Sequence, residues 1–172
     1  MRILAIDPGL SGGLAFLDLT HPDHLPTVEE VRDMPIMARK KDGSGHVVNG
    51  SALLAVLDQW QPTLVVIERV TGMAGGPGQN KMGASGAFNF GMGFGIVIGC
   101  CARFQTVFTS PAQWKKRMGL TGNSKGNNDY ARTLAIQTFP YLAEPLKLKK
   151  HLGRAEAVLI GLDYCRQLGE GS

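Results

Sequence analysis

The chain has 172 residues, 44% of them apolar and 19% charged, which predicts one globular domain spanning residues 1–172 with a sizeable core and excludes a disordered chain. Its net charge of +4 hides an asymmetry: Gln113 to Arg154 holds nine Lys or Arg against two acids, a net of +7, so the remaining residues sum to −3. A basic third on a near-neutral body predicts a surface that faces a polyanion, the plainer alternative being a solvated Lys-rich face.

The first apolar run, "RILAID" (2–7), is stopped by Pro8-Gly9 and predicts a buried strand and turn. "GGLAFLDL" (12–19) predicts a second strand, joined to the first as a hairpin through a tight Gly/Ser loop. Two prolines mark 20–26 as a loop, and "TVEEVRDMPI" (27–36) alternates enough for a third strand. Residues 38–49 are polar and Gly-rich and predict a loop. Asn49 or Ser51 then caps a helix through Trp60, ended by Pro62. "TLVVIE" (63–68) is a β-branched run that closes on an acid, and the Gly-rich "TGMAGGPGQNKM" (71–82) follows as a loop without packing power.

Gly83 to Ala102 carries no charge and is about as long as a membrane span. Six glycines, an Asn and the lack of an aromatic belt predict instead a buried, close-packed helix and no membrane association. "QTVFTS" (105–110) predicts a strand stopped by Pro111, which suits the first turn of a helix with Ser110 as cap. Residues 125–138 predict a further helix, and the last one runs from about Gly153 to Leu168. The order β-β-β-α-β-α-β-α-α-α predicts an α/β fold: a mixed five-stranded sheet, three strands antiparallel and the others parallel, flanked by helices. Cys100, Cys101 and Cys165 offer neither a disulfide framework nor zinc spacing and read as small buried residues of a reducing compartment. "MRILAIDPGL" is too short and too soon acidic for a signal peptide.

Asp7 ends the first strand and Glu68 ends the fourth, each behind apolar residues only. If those strands are parallel neighbours, both carboxylates emerge at one edge of the sheet, where ligands of such sheets collect. Carboxylates brought close repel unless a cation neutralises them or one keeps its proton. Oxygen-only donors favour Mg²⁺ or Mn²⁺. The alternative has Asp7 capping the Pro8-Gly9 turn and Glu68 paired with Arg69 or a lysine. A third acid, Glu156, opens the last helix directly after a basic, Gly-containing stretch, "KKHLGRAEA".

Taken together, "RILAIDPGLSGGLAFLD", "LVVIERV", "SPAQWKKRMGL" and "GRAEAVLIGL" resemble, in order and spacing, the RuvC-type Holliday junction resolvases of the ribonuclease H-like superfamily, its phage-borne branch in particular. The resemblance runs over roughly residues 2 to 168. It implies a homodimeric crossover junction endodeoxyribonuclease that nicks branched DNA with two Mg²⁺ or Mn²⁺ ions per site and leaves a 5′-phosphate and a 3′-hydroxyl. By position, Asp7 would bridge the metals, Glu68 would be the second carboxylate and Glu156 the final acid, where the family usually has Asp. A further ligand commonly sits three residues earlier; here that residue is Gly153, which leaves His151 as metal ligand, proton relay or phosphate contact, or water in its place. Phosphodiester hydrolysis suits such a cluster, since two metals roughly 4 Å apart activate water and relieve charge on the phosphate.

The basic residues flank these acids. Lys115, Lys116 and Arg117 start a helix, Lys125 opens another, Lys81 lies in the Gly-rich loop, and Lys149, Lys150 and Arg154 line the approach to Glu156, all as DNA-backbone contacts. Trp114 either packs in the core or stacks on a base or sugar. The resemblance implies a dimer through the Gly-rich helix 83–103, packing within the monomer being the alternative. The resembled bacterial resolvases often carry an aromatic in the loop after the second acid; here that loop holds only Met73 and Met82 as sizeable apolar residues, a departure that implies a branched-DNA preference broader than the four-way junction. The expected location is the cytoplasm of a bacterium or of a phage-infected cell. Competing functions are a ribonuclease H-like RNA-processing nuclease and a branched-DNA binder without catalysis.

Overall fold

The computed structural model describes residues 1–21, 23–39, 45–69, 83–120 and 129–170. Its centre is a five-stranded sheet in the order β3-β2-β1-β6-β7, with β1 Arg2–Asp7, β2 Gly13–Asp18, β3 Thr27–Asp33, β6 Leu64–Glu68 and β7 Gln105–Thr109. β1 pairs antiparallel with β2 and β2 with β3, while β6 runs parallel to both β1 and β7. This is the mixed sheet that the chain order implies.

Alternation along β1 divides the core in two. Ile3 and Ala5 face one side, buried under the C-terminal helix α5 (Leu152–Glu170) with Val158, Leu159 and Leu162. Leu4 and Ile6 face the other, buried against Leu53, Leu57 and Trp60 of helix α1 (Gly50–Trp60). Two covered faces explain why β1 and β6 read as unbroken apolar runs. Each fully buried Ile or Leu contributes roughly 1.5–3 kcal/mol. α5 lies so near the sheet that a Cβ on Gly161 would sit 2.5 Å from Leu17 Cδ1. α1 starts at Asn49, whose side chain accepts the Ala52 N–H at 3.1 Å, and ends at Gln61, left-handed at φ 46°, just before Pro62.

Three expectations need correction. The third strand stops at Asp33, and Ile36–Ala38 (β4), at the end of the expected strand and start of the expected loop, pairs with His46–Val48 (β5) inside that loop as a separate ribbon. Helix α2 (Ala84–Cys101) is not a buried helix: 22% of it is buried, and only Gly93, Val97 and Cys101 are fully covered. One stripe of α2 packs on the α1 side of the core, and the rest, including Phe88 at 70% exposure, faces outward. Among the described residues, a Cβ added at Gly91, Gly95 or Gly99 would meet nothing within 4 Å. By length and composition alone α2 would suffice to cross a bilayer. Finally, Ser110 stands at the start of helix α3 (Pro111–Arg117) without a side-chain capping bond. Helix α4 covers Tyr130–Thr138, so the expected start at 125 lies outside the described residues, as do the 71–82 loop, Lys81 and Lys125.

Candidate active site

Parallel pairing sets the first two acids side by side. Ile6 is in register with Ile67, so Asp7 and Glu68, the next residue of each strand, leave the sheet at the same edge. The third acid arrives through backbone contact. Gly12 forms a parallel bridge with Gly153, and a Cβ on Gly153 would lie 2.2 Å from the Ser11 carbonyl oxygen. A Cβ on Gly13 would lie 2.6 Å from the Arg154 nitrogen. Only glycine permits this approach, which docks the start of α5 on the β1–β2 turn. Glu156, the fifth residue of α5 and so one turn in from its start, is thereby brought to Asp7.

The electrostatics record the convergence. Asp7 is pushed up to about 7, first by burial and then by the charges of Glu156 and Glu68, against a weak pull from the Gly9 N–H at 3.3 Å. Asp7 therefore does bond the turn, and sits in the acidic cluster as well. Burial also raises Glu68, opposed by a hydrogen bond from Trp114 and by the charge of Lys115. Trp114 is fully buried, and its indole N–H donates to Glu68 Oε1 at 2.7 Å. Lys115 Nζ stands 2.9 Å from Glu156 Oε1, in a half-buried ion pair. Burial works against that ammonium, yet Glu156, Glu68 and Asp7 together hold it protonated beyond its ordinary range.

His151 is engaged within its own turn. It is buried at 6% exposure, in a 3-10 turn (Lys149–His151), and its Nδ1 accepts the Leu148 N–H at 3.4 Å. Burial lowers its pKa, and the charges it senses are Arg154, Asp33, Lys150 and Lys147, none of them in the acidic cluster. Nor can residue 153 carry a ligand, since the backbone of Ser11 and Gly12 fills the space any side chain would need.

The basic residues divide into two sets. Lys149 and Lys150 are exposed and line an open cleft of about 340 Å³ with Asp7, Gly9, Ser11, Gly12, Leu152, Gly153 and Glu156. Lys116 is exposed on α3 and, like those two, forms no ion pair among the described residues. Arg117 instead grips the buried Asp163 with both carboxylate oxygens, at 2.7 and 2.6 Å. Arg154 clasps Asp33 at 2.6 and 2.8 Å and the Pro145 carbonyl at 3.1 Å, tying β3 to α5. These two guanidinium groups brace the fold beside the cleft. The sequence offered no sign of the Trp114–Glu68 bond or the Lys115–Glu156 pair, because both partners lie far apart in the chain.

The donor set is carboxylate oxygen only, which suits Mg²⁺ or Mn²⁺. The charge balance supplies the test of fit: three carboxylates, Asp7, Glu68 and Glu156, meet one ammonium, Lys115, so the cluster keeps an excess of negative charge that a cation would offset. In charge and chemistry the residues fit. Among the described residues, however, no three His, Cys, Asp or Glu side chains are close enough together to enclose an ion, and the Glu156 carboxylate is engaged by Lys115.

No protein-family model and no curated protein sequence matches the chain. Solved structures do. RuvC of Thermus thermophilus is similar over 99% of this chain and 97% of its own, with 18% identity and a TM-score of 0.60. The same protein in complex with Holliday junction substrate gives 15% identity and a TM-score of 0.58 at the same coverage. Fowlpox virus resolvase, in complex with Holliday junction DNA, gives 13% and 0.58 over 98% of this chain and 99% of its own. The fold is therefore the ribonuclease H-like fold of RuvC-type resolvases along the whole chain.

Proposed function

We propose that the protein is a metal-dependent, structure-selective DNA endonuclease that nicks Holliday junctions or related branched DNA. The observation that carries this reading is the convergence of Asp7, Glu68 and Glu156 from β1, β6 and α5 on one end of the sheet, where burial first, and then the charges of Glu156 and Glu68, push Asp7 up to about 7. The fold it shares with resolvases solved on junction DNA supports the choice of substrate.

In this reading Asp7 and Glu68 hold Mg²⁺ or Mn²⁺, and Glu156 completes the set when its side chain turns from Lys115. Two ions held there would supply an activated water and neutralise charge at the scissile phosphate. Lys149, Lys150 and Lys116 bind the DNA backbone beside the cleft and so favour recognition of shape through phosphates. Gly9 lends the cleft wall a low profile that lets a sugar-phosphate chain come close. Arg117 and Arg154, committed to Asp163 and Asp33, keep α3 and α5 in place. A second copy covers the apolar face of α2, setting two sites on a two-fold branched substrate. The working compartment is a reducing cytoplasm, bacterial or phage-infected.

One observation favours a second reading, a branched-DNA binder that does not cut: Lys115 already neutralises Glu156 within the cluster. Incubation with synthetic four-way junctions, with replication forks and with linear RNA, each with Mg²⁺, Mn²⁺ or chelator, separates the two. Metal-dependent nicks in branched DNA with 5′-phosphate ends support the nuclease. Binding without nicks supports the binder, and preferential cutting of linear RNA overturns the DNA assignment.

A further inference from the structure

We propose that Trp114 is a positioning residue for the acidic cluster: its indole N–H fixes the Glu68 carboxylate so that the second oxygen is presented to a cation. The inference rests on the metal-site reading above and goes beyond it by assigning a role to a buried aromatic.

The geometry begins in the sheet. Glu68 is in register with Thr109, and the Arg69 N–H donates to the Thr109 carbonyl at 2.7 Å, so β6 and β7 stay paired to their ends. The chain turns from Thr109 through Ser110 into α3, whose first turn is closed by Gln113 and Trp114 N–H bonds to the Ser110 carbonyl at 3.1 Å. Trp114 is thereby held at a fixed offset from Glu68. Its ring is buried in the core beneath α5, and the Nε1–H meets Glu68 Oε1 at 2.7 Å. A packed ring with one donor leaves the carboxylate little rotational freedom.

The donor's chemistry suits this task. An indole N–H donates, cannot accept and carries no charge. It therefore orients Glu68 without neutralising it, where a lysine or arginine in the same place would offset the charge a cation needs. Outer-shell donors of this kind commonly set ligand orientation and contribute 10–100-fold to metal affinity. A carboxylate held in advance also loses less conformational entropy on capturing an ion. The alternative is that the N–H finds Glu68 merely because a buried indole needs an acceptor.

Titration calorimetry with Mn²⁺ alone distinguishes them. Trp114→Phe keeps a ring and removes the donor. If that variant does not fold, benzothienylalanine placed at position 114 by codon reassignment keeps the bicyclic shape with sulfur in place of N–H. The expected result is a metal-free protein that melts cooperatively but binds Mn²⁺ about 10-fold or more weakly. Trp60→Phe is the control, because Trp60 makes the same bond to Glu30, at 2.9 Å, on another face, and its Mn²⁺ affinity stays at the wild-type value. Wild-type affinity in the benzothienylalanine protein, with binding lost in Asp7→Asn, overturns the role of Trp114 alone. A wild-type protein that binds no Mn²⁺, or an Asp7→Asn protein that binds it equally well, overturns the metal-site reading and this inference with it.

Discussion

Asp7 carries a cost that function explains. Its folded pKa of about 7 lies above the ordinary 3.8, so between about pH 4 and pH 7 the folded chain retains a proton that the unfolded chain has lost. The contribution of Asp7 to the stability of the metal-free protein therefore falls as pH rises through that window and levels off above it, by at most about 4 kcal/mol, while His151, held below its ordinary range by burial, acts in the opposite sense. Asp7→Asn removes the titrating group. Urea unfolding in chelator is expected to show this variant more stable than wild type at pH 8, with a flatter profile from pH 4 to 7; a less stable variant at pH 8 would contradict the origin assigned to the shift. Lys115→Met is expected to act in the opposite sense. Losing the half-buried pair with Glu156 lowers metal-free stability by about 1 kcal/mol, while the rise in melting temperature on adding Mn²⁺ becomes larger than in wild type. An unchanged rise would show that Lys115 does not act as the cluster's counter-charge. At this scale the acids could be read from the sequence, since a carboxylate closing an apolar strand stands out. Their partners could not, because Trp114 and Lys115 reach them only through the β6–β7 pairing and the placement of α3.

At the scale of elements, the docking of α5 on the β1–β2 turn decides where Glu156 stands. Gly12, Gly13 and Gly153 make it possible by backbone contact alone. Gly153→Ala is accordingly expected to lose about 3 kcal/mol in urea unfolding, and Gly153→Asp is expected to gain no Mn²⁺ affinity despite its added carboxylate. Tighter Mn²⁺ binding by Gly153→Asp would show that the position has room for a ligand after all. Strands β1, β2, β6 and β7 and helices α1 and α5 could be read from apolar runs bounded by Pro and Gly. The β4–β5 ribbon could not: three-residue strands in a polar, Gly-rich stretch carry too little periodicity. The exposure of α2 was also hidden, because a uniformly apolar helix reads alike whether its partner is its own core or another surface.

At the scale of the whole molecule, α2 leaves an apolar face with Gly91, Gly95 and Gly99 on its open side. Among the described residues the Cβ of Gly95→Leu meets nothing within 4 Å, and the change improves helix propensity by about 1 kcal/mol, so the monomer is expected to be at least as stable as wild type. Across a two-fold contact the same side chain would separate the helices. Sedimentation velocity is expected to show a wild-type dimer and a folded monomer for Gly95→Leu; an unchanged dimer would place the contact on another surface. The mixed sheet and its flanking helices followed from element order, whereas the second copy is implied by the resemblance and is proposed on an α2 face that the described residues leave uncovered.

The central claim is that the three converging carboxylates cut branched DNA. It is tested most directly by incubating a synthetic four-way junction with the purified protein and Mg²⁺ or Mn²⁺, beside Asp7→Asn and a chelator control. Paired nicks bearing 5′-phosphate ends are expected in the wild-type reaction alone, with junction binding kept by the variant. Nicking by Asp7→Asn at the wild-type rate, or by wild type in chelator, would contradict it.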